Sequence, residues 1–114
     1  MHTQDLNILI VGGGRVGLRT AQTLDNRGHD ITIIERDADR SSDAADRYIA
    51  TVIEGDATRP SILQQANLDT TDVIAALTAD LGTNLSVCLA AERCGPPIRA
   101  LTRPTDTDDA SACA

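Results

Sequence analysis

Six residues near the N-terminus, Gly12-Gly13-Gly14-Arg15-Val16-Gly17, follow the apolar run at 6–11 and precede a stretch with helical spacing. Glycines so placed between a strand and a helix suit the binding of a phosphate. Gly12 would allow the tight turn, Gly14 would let a pyrophosphate approach the backbone, and Gly17 would let the helix pack closely on the strand. The N–H groups that open a helix have no intrahelical acceptor and carry partial positive charge, so they attract an anion. A Gly-x-Gly-x-x-Gly match alone is weak evidence. Its place inside a strand–turn–helix–strand unit is what gives it weight. Gly13, Arg15 and Val16 fill the turn and belong to the same candidate site.

Glu35 ends the next apolar run, 18 residues after Gly17. An acid there accepts hydrogen bonds from the hydroxyls of an adenosine ribose, and its charge repels a 2′-phosphate, favouring NAD over NADP. Arg36 is a counter-signal, because a guanidinium could pair with a 2′-phosphate or stack on adenine. The free ribose is the favoured reading of the two. His29 reads as a turn residue ahead of the second strand, and His2 carries no signal. The three cysteines, Cys88, Cys94 and Cys113, have neither CxxC spacing nor a neighbouring His, so no metal site is expected. Cys88 and Cys94 read as small hydrophobes on a helix, and the odd count suits a reducing cytosol.

The elements that must position these residues alternate along the chain. Short β-branched or apolar runs predict strands over 6–11, 30–35, 48–54, 73–78 and 98–102. Amphipathic stretches between them predict helices over 15–27, 39–47, 60–67 and about 83–93. Val16, Thr20, Ala21 and Leu24 form the expected buried face of the first helix, and Leu85, Cys88 and Leu89 that of the last. Gly28 is placed to take a left-handed cap, and Pro60 to open a helix without losing a needed N–H. The alternation βαβαβαβαβ predicts an α/β fold. It is a Rossmann-type doubly wound parallel sheet of about five strands, order 3-2-1-4-5, without the usual sixth strand. The domain is expected over 1–103, with 104–114 an acidic disordered tail.

Composition narrows the function. The chain has 114 residues, enough for one domain with a real core, and carries 10 basic against 17 acidic residues for a net charge of −7. Such a field disfavours nucleic-acid binding and anionic lipid surfaces. Every basic residue is Arg, and the Asp-rich, Lys-free surface resembles that of proteins from salt-loving archaea. No run is long enough to span a bilayer, and no signal peptide is evident, so a soluble cytoplasmic protein is expected. Without any Lys, Lys-dependent dehydrogenase mechanisms are excluded. Tyr48, the sole aromatic, begins a predicted strand with no catalytic partner in view. A binding and regulatory module is therefore favoured over the alternative, an NAD-dependent oxidoreductase domain or fragment acting on a small substrate.

Three segments carry a resemblance. Gly-Gly-Gly-Arg-Val-Gly, Arg-Gly-His-Asp-Ile-Thr-Ile-Ile-Glu-Arg-Asp and Val-Ile-Glu-Gly-Asp-Ala-Thr are similar to the TrkA-N (RCK or KTN N-terminal) domain of Trk-type potassium uptake regulators. The likeness continues through Asn84-Leu85 and the segment at 98–103. It implies binding of NAD(H), with ATP or ADP as alternatives, by a cytoplasmic homo-oligomer. The partner it implies is a membrane potassium transporter or channel subunit on a separate chain. By the same resemblance, Arg15 faces the phosphates, Asp56 and Ala57 lie near adenine, and Thr78 lies beside the cofactor. Leu81-Gly82-Thr83 departs from the family's acidic pair before Asn84, and the segment that commonly forms the dimer interface is not found after Arg103.

Overall fold

The computed structural model describes residues 5–93 and 99–102. Ten elements run in the order β1 (Asn7–Val11), α1 (Arg15–Asn26), β2 (Asp30–Glu35), α2 (Ala38–Ala45), β3 (Thr51–Glu54), α3 (Pro60–Gln65), a single 3-10 turn (Leu68–Thr70), β4 (Val73–Ala76), α4 (Leu81–Arg93) and β5 (Arg99–Thr102). The sheet is parallel throughout, in the order β3-β2-β1-β4-β5, as expected from the alternation. The predicted tail at 104–114 lies outside the described residues, as does Cys94.

The period-2 geometry of β1 divides the core. Ile8 and Ile10 point to one face of the sheet, where they meet Ile31, Ile33, Ala21 of α1 and Ala44 of α2. Leu9 and Val11 point to the other, where they meet Ile34, Ile74, Leu63 of α3 and Val87 of α4. α1 and α2 thus cover one face and α3 and α4 the other, so β1 and β4 are the neighbours at which the winding reverses. Both faces of the central strands are dry, which is why their sequences read as unbroken apolar runs. The core is aliphatic, since Tyr48 is 91 % exposed.

Helix ends follow local chemistry. Asp37 accepts the Asp39 and Arg40 N–H groups at 2.8 and 3.1 Å and caps α2. At the end of α1, Gly28 takes φ +90°, its N–H bonds the Asp25 carbonyl, and the His29 N–H bonds that of Leu24. Those two bonds are a Schellman closure. His29 also accepts the Leu6 N–H through Nδ1 at 3.2 Å in the turn before β2, while the left-handed backbone position there falls to Gly28.

Four expectations need correction. Tyr48 does not begin a strand; it stands at φ +56° in the turn that closes α2, and β3 starts at Thr51. Val16 and Leu89 are exposed; Leu18 packs from α1 beside the expected Ala21 and Leu24, and Val87 and Ala91 are buried from α4. α4 begins at Leu81, before Gly82, because Asp80 caps it: Asp80 Oδ2 accepts both the N–H and the hydroxyl of Thr83. Cys88 is buried in α4, as a small hydrophobe would be, yet it is disulfide-bonded.

Candidate functional site

The carboxyl ends of β1 to β4 open into one cleft of about 320 Å³ at the point where the winding reverses. Open α/β sheets bind ligands at that place. The β1–α1 turn makes its floor. Gly12 has φ +112°, and a Cβ on it would meet the Leu77 and Thr78 backbone at 3.1 Å. Gly17 lies underneath, where a Cβ would fall 1.8 Å from the Gly12 carbonyl oxygen. The absence of that Cβ is what lets α1 sit so close to β1. Gly14 differs from both, because a Cβ there would meet nothing within 4 Å. It faces the open cleft.

Gly14 is the N-cap of α1 and offers no side chain to its N–H groups, and no acidic residue stands in the first turn. The first intrahelical bond runs from the Leu18 N–H to the Gly14 carbonyl at 2.9 Å. The N–H groups of Arg15, Val16 and Gly17 therefore have no intrahelical acceptor, and the positive end of the helix dipole faces the cleft. The arrangement can take an anion through backbone donors alone.

The second wall comes from β2. Glu35 is buried and holds two turns together: Oε1 accepts the Gly13 N–H and Oε2 the Asp37 N–H, both at 2.7 Å. A carboxylate offers about four acceptor sites, so two remain for hydroxyl donors from the cleft. Arg36 and Arg40 stand beside it. Gly55, Asp56 and Ala57 line the cleft from the β3–α3 turn. The hydroxyl and N–H of Thr58 bond the Asp56 carboxylate and hold its pKa below the ordinary value, helped by the Arg36 and Arg59 guanidinium groups. The last wall is the β4–α4 turn, with Leu77, Thr78, Asp80 and Thr83. Asp80 is likewise held below its ordinary pKa, chiefly by the Thr83 hydroxyl and N–H and more weakly by Arg36. Arg36 thus acts on acids of both flanking turns.

Of the residues singled out from the sequence, Gly12, Gly14, Arg15, Val16, Glu35, Arg36, Asp56, Ala57 and Thr78 line this one cleft. Gly13 and Gly17 stand behind it, Gly13 bonded to Glu35 and Gly17 packed on Gly12. Arg40, Gly55, Asp80 and Thr83 were missed. Asp37 and Asp80 are N-cap residue types, a signal that could have placed the starts of α2 and α4 and with them Arg40 and Thr83. His29 and Tyr48 lie together in a separate hollow, with Asp30 at the start of β2 and Thr51 at the start of β3. Among the described residues no group of three His, Cys, Asp or Glu could hold a metal, and no helix is long and apolar enough to cross a membrane.

Comparison with known proteins agrees with this fold. The TrkA-N domain model matches residues 8–113. The Trk system potassium uptake protein TrkA homolog of Pyrococcus abyssi is 38 % identical over 99 residues, covering 87 % of this chain and 44 % of its own length. This chain spans less than half of that relative. Among solved structures, the TrkA-N domain of inner membrane protein ybaL from Escherichia coli superposes with a TM-score of 0.84 at 20 % identity, covering 98 % of this chain and 82 % of that one. The GsuK channel bound to NAD superposes at 0.73, also at 20 % identity, over 90 % of this chain and 19 % of the channel. Identities that low speak to the fold. Family membership rests on the domain match and on the Pyrococcus relative, and by both the chain belongs to the TrkA-N domain family.

Proposed function

We propose that the chain is a regulatory domain that binds NAD(H), with ATP and ADP as competing ligands, and controls potassium transport through a separate membrane subunit. The observation that carries this reading is the Gly14 cradle: backbone donors at a helix start, no Cβ in the way, and Glu35 fixed at the same cleft. In this reading the β1–α1 turn holds the phosphates and Glu35 takes the ribose hydroxyls. Arg15 and Arg36 offset a net charge that would otherwise repel the ligand, Asp56 and Ala57 flank adenine, and Thr78 borders the far half. The names of the relatives support the potassium-transport assignment, and the NAD in GsuK supports the cofactor.

A hydride-transfer enzyme needs an acid or base at the cleft. The acids that line it are engaged in the turns instead: Glu35 by the Gly13 and Asp37 N–H groups, Asp56 by Thr58 and Asp80 by Thr83, the last two held below their ordinary pKa, which favours a binding module. Regulation then requires that a ligand bind two arrangements of the assembly with different affinity, since only that difference can shift their balance. We place the domain in the cytoplasm, working as a homo-oligomer against its membrane partner. Calorimetric titration with NAD, NADH, ATP and ADP in high-salt buffer tests the reading. Saturable one-to-one binding of at least one of them is expected; heat of dilution alone for all four would refute it.

A further inference from the structure

Asn84 lies in the first turn of α4 and is fully buried. A buried amide costs free energy unless its polar groups are bonded. Among the described residues, every side-chain bond it makes goes to one residue. Oδ1 accepts the Thr78 backbone N–H at 3.1 Å and the Thr78 hydroxyl at 2.6 Å, and Nδ2 donates to the Thr78 carbonyl at 3.0 Å. A backbone N–H only donates and a carbonyl only accepts, so Thr78 dictates which way the amide faces. The Thr78 hydroxyl in turn accepts the Asp80 N–H at 3.2 Å, and Asp80 caps α4 through Thr83.

The peptide held this way is also a structural stop for the glycine turn. Leu77 and Thr78 are the backbone against which Gly12 rests, as the 3.1 Å approach of its Cβ position shows. Asn84 itself does not line the cleft, whereas Thr78 and Gly12 both do. Contact therefore runs from α4 through Thr78 to the turn that would receive the phosphates.

We propose that Asn84 is a positioning residue for the nucleotide: it locks the Thr78 peptide in the orientation that shapes both the far wall of the cleft and the seat of the glycine turn. The proposal rests on the nucleotide-binding reading above. Aspartate has the same shape but only acceptors when ionised, so it would set a lone pair against the Thr78 carbonyl. A protonated aspartic acid regains one donor and restores the bond.

Asn84→Asp and Thr78→Val chains, titrated with NAD and with ADP, give the test, with thermal melting recorded alongside. Losing a buried bond to the carbonyl should weaken NAD binding by the Asn84→Asp chain about tenfold or more near pH 8. Burial favours the neutral acid, so affinity should return to within about threefold of the parent near pH 5.5. The parent's NAD affinity should stay level across that range. Thr78→Val keeps the backbone bonds and tests the hydroxyl link should the first variant not fold near pH 8; about fivefold weaker binding is expected. Parent binding with unchanged affinity in Thr78→Val, or with a folded Asn84→Asp chain that shows no loss or no return, would overturn the role of Asn84 alone. A parent that binds neither nucleotide would overturn the nucleotide reading and this proposal with it.

Discussion

A Gly14→Asp chain is expected to melt at a slightly higher temperature than the parent and to bind no adenine nucleotide. The two effects have one cause. Gly14 is an N-cap with φ −79° and ψ −166°, angles open to any residue, and its Cβ position has no neighbour within 4 Å. Aspartate there can accept the free N–H groups of α1 and oppose the helix dipole, for a gain of a few tenths to about 1 kcal/mol. The same carboxylate occupies the phosphate seat. Two unit charges about 4 Å apart repel by roughly 4 kcal/mol at an effective dielectric near 20, or close to a thousandfold in affinity. Melting curves and calorimetry on one sample check both halves. Unchanged affinity would show that the phosphates sit elsewhere.

Gly17→Ala should do the opposite and cost the fold. Helix propensity alone favours Ala over Gly by about 1 kcal/mol in a helix interior. Here the new methyl would lie 1.8 Å from the Gly12 carbonyl oxygen, and both partners are backbone, so α1 has to move off β1. Overpacking of that kind costs about 3 kcal/mol and outweighs the propensity gain. For a domain this size that is a fall of roughly 10–20 °C in melting temperature. Gly82→Ala is the control: it lies in the first turn of α4 with its nearest neighbour at 3.7 Å, so it should be neutral or stabilising by up to about 1 kcal/mol. A Gly17→Ala chain as stable as the parent would contradict the close packing described here.

β2 was legible in the sequence to the residue, because Asp30 and Glu35 bound a run of β-branched residues with a cap before it and a turn after. The strand order was legible too, since alternating strands and helices leave few alternatives. Tyr48 misled because an aromatic beside Ile49 has strand propensity, whereas its actual place depends on the left-handed closure of α2, a backbone feature no side-chain pattern announces. Leu89 misled for another reason: it interrupts the exposed stripe of Gly82, Ser86, Glu92 and Arg93, so spacing grouped it with Leu85 and Cys88. Glu35 was legible as a strand-end acid, but only the structure shows it bonded to Gly13 and Asp37 and so joining two turns. Asn84 was noticed in the resemblance without a task. Its burial and its three bonds to Thr78 are tertiary facts, and the one sequence hint was a polar residue amid an apolar helix.

Backbone amide chemical shifts of the uniformly labelled chain, followed by NMR as NAD is added, show where the nucleotide sits. The largest changes are expected at Gly13, Gly14, Arg15 and Val16, with further changes at Arg36, Asp56 and Thr78, all at the carboxyl ends of the strands. Changes centred instead on His29, Tyr48 and Thr51, in the second hollow, would contradict that placement.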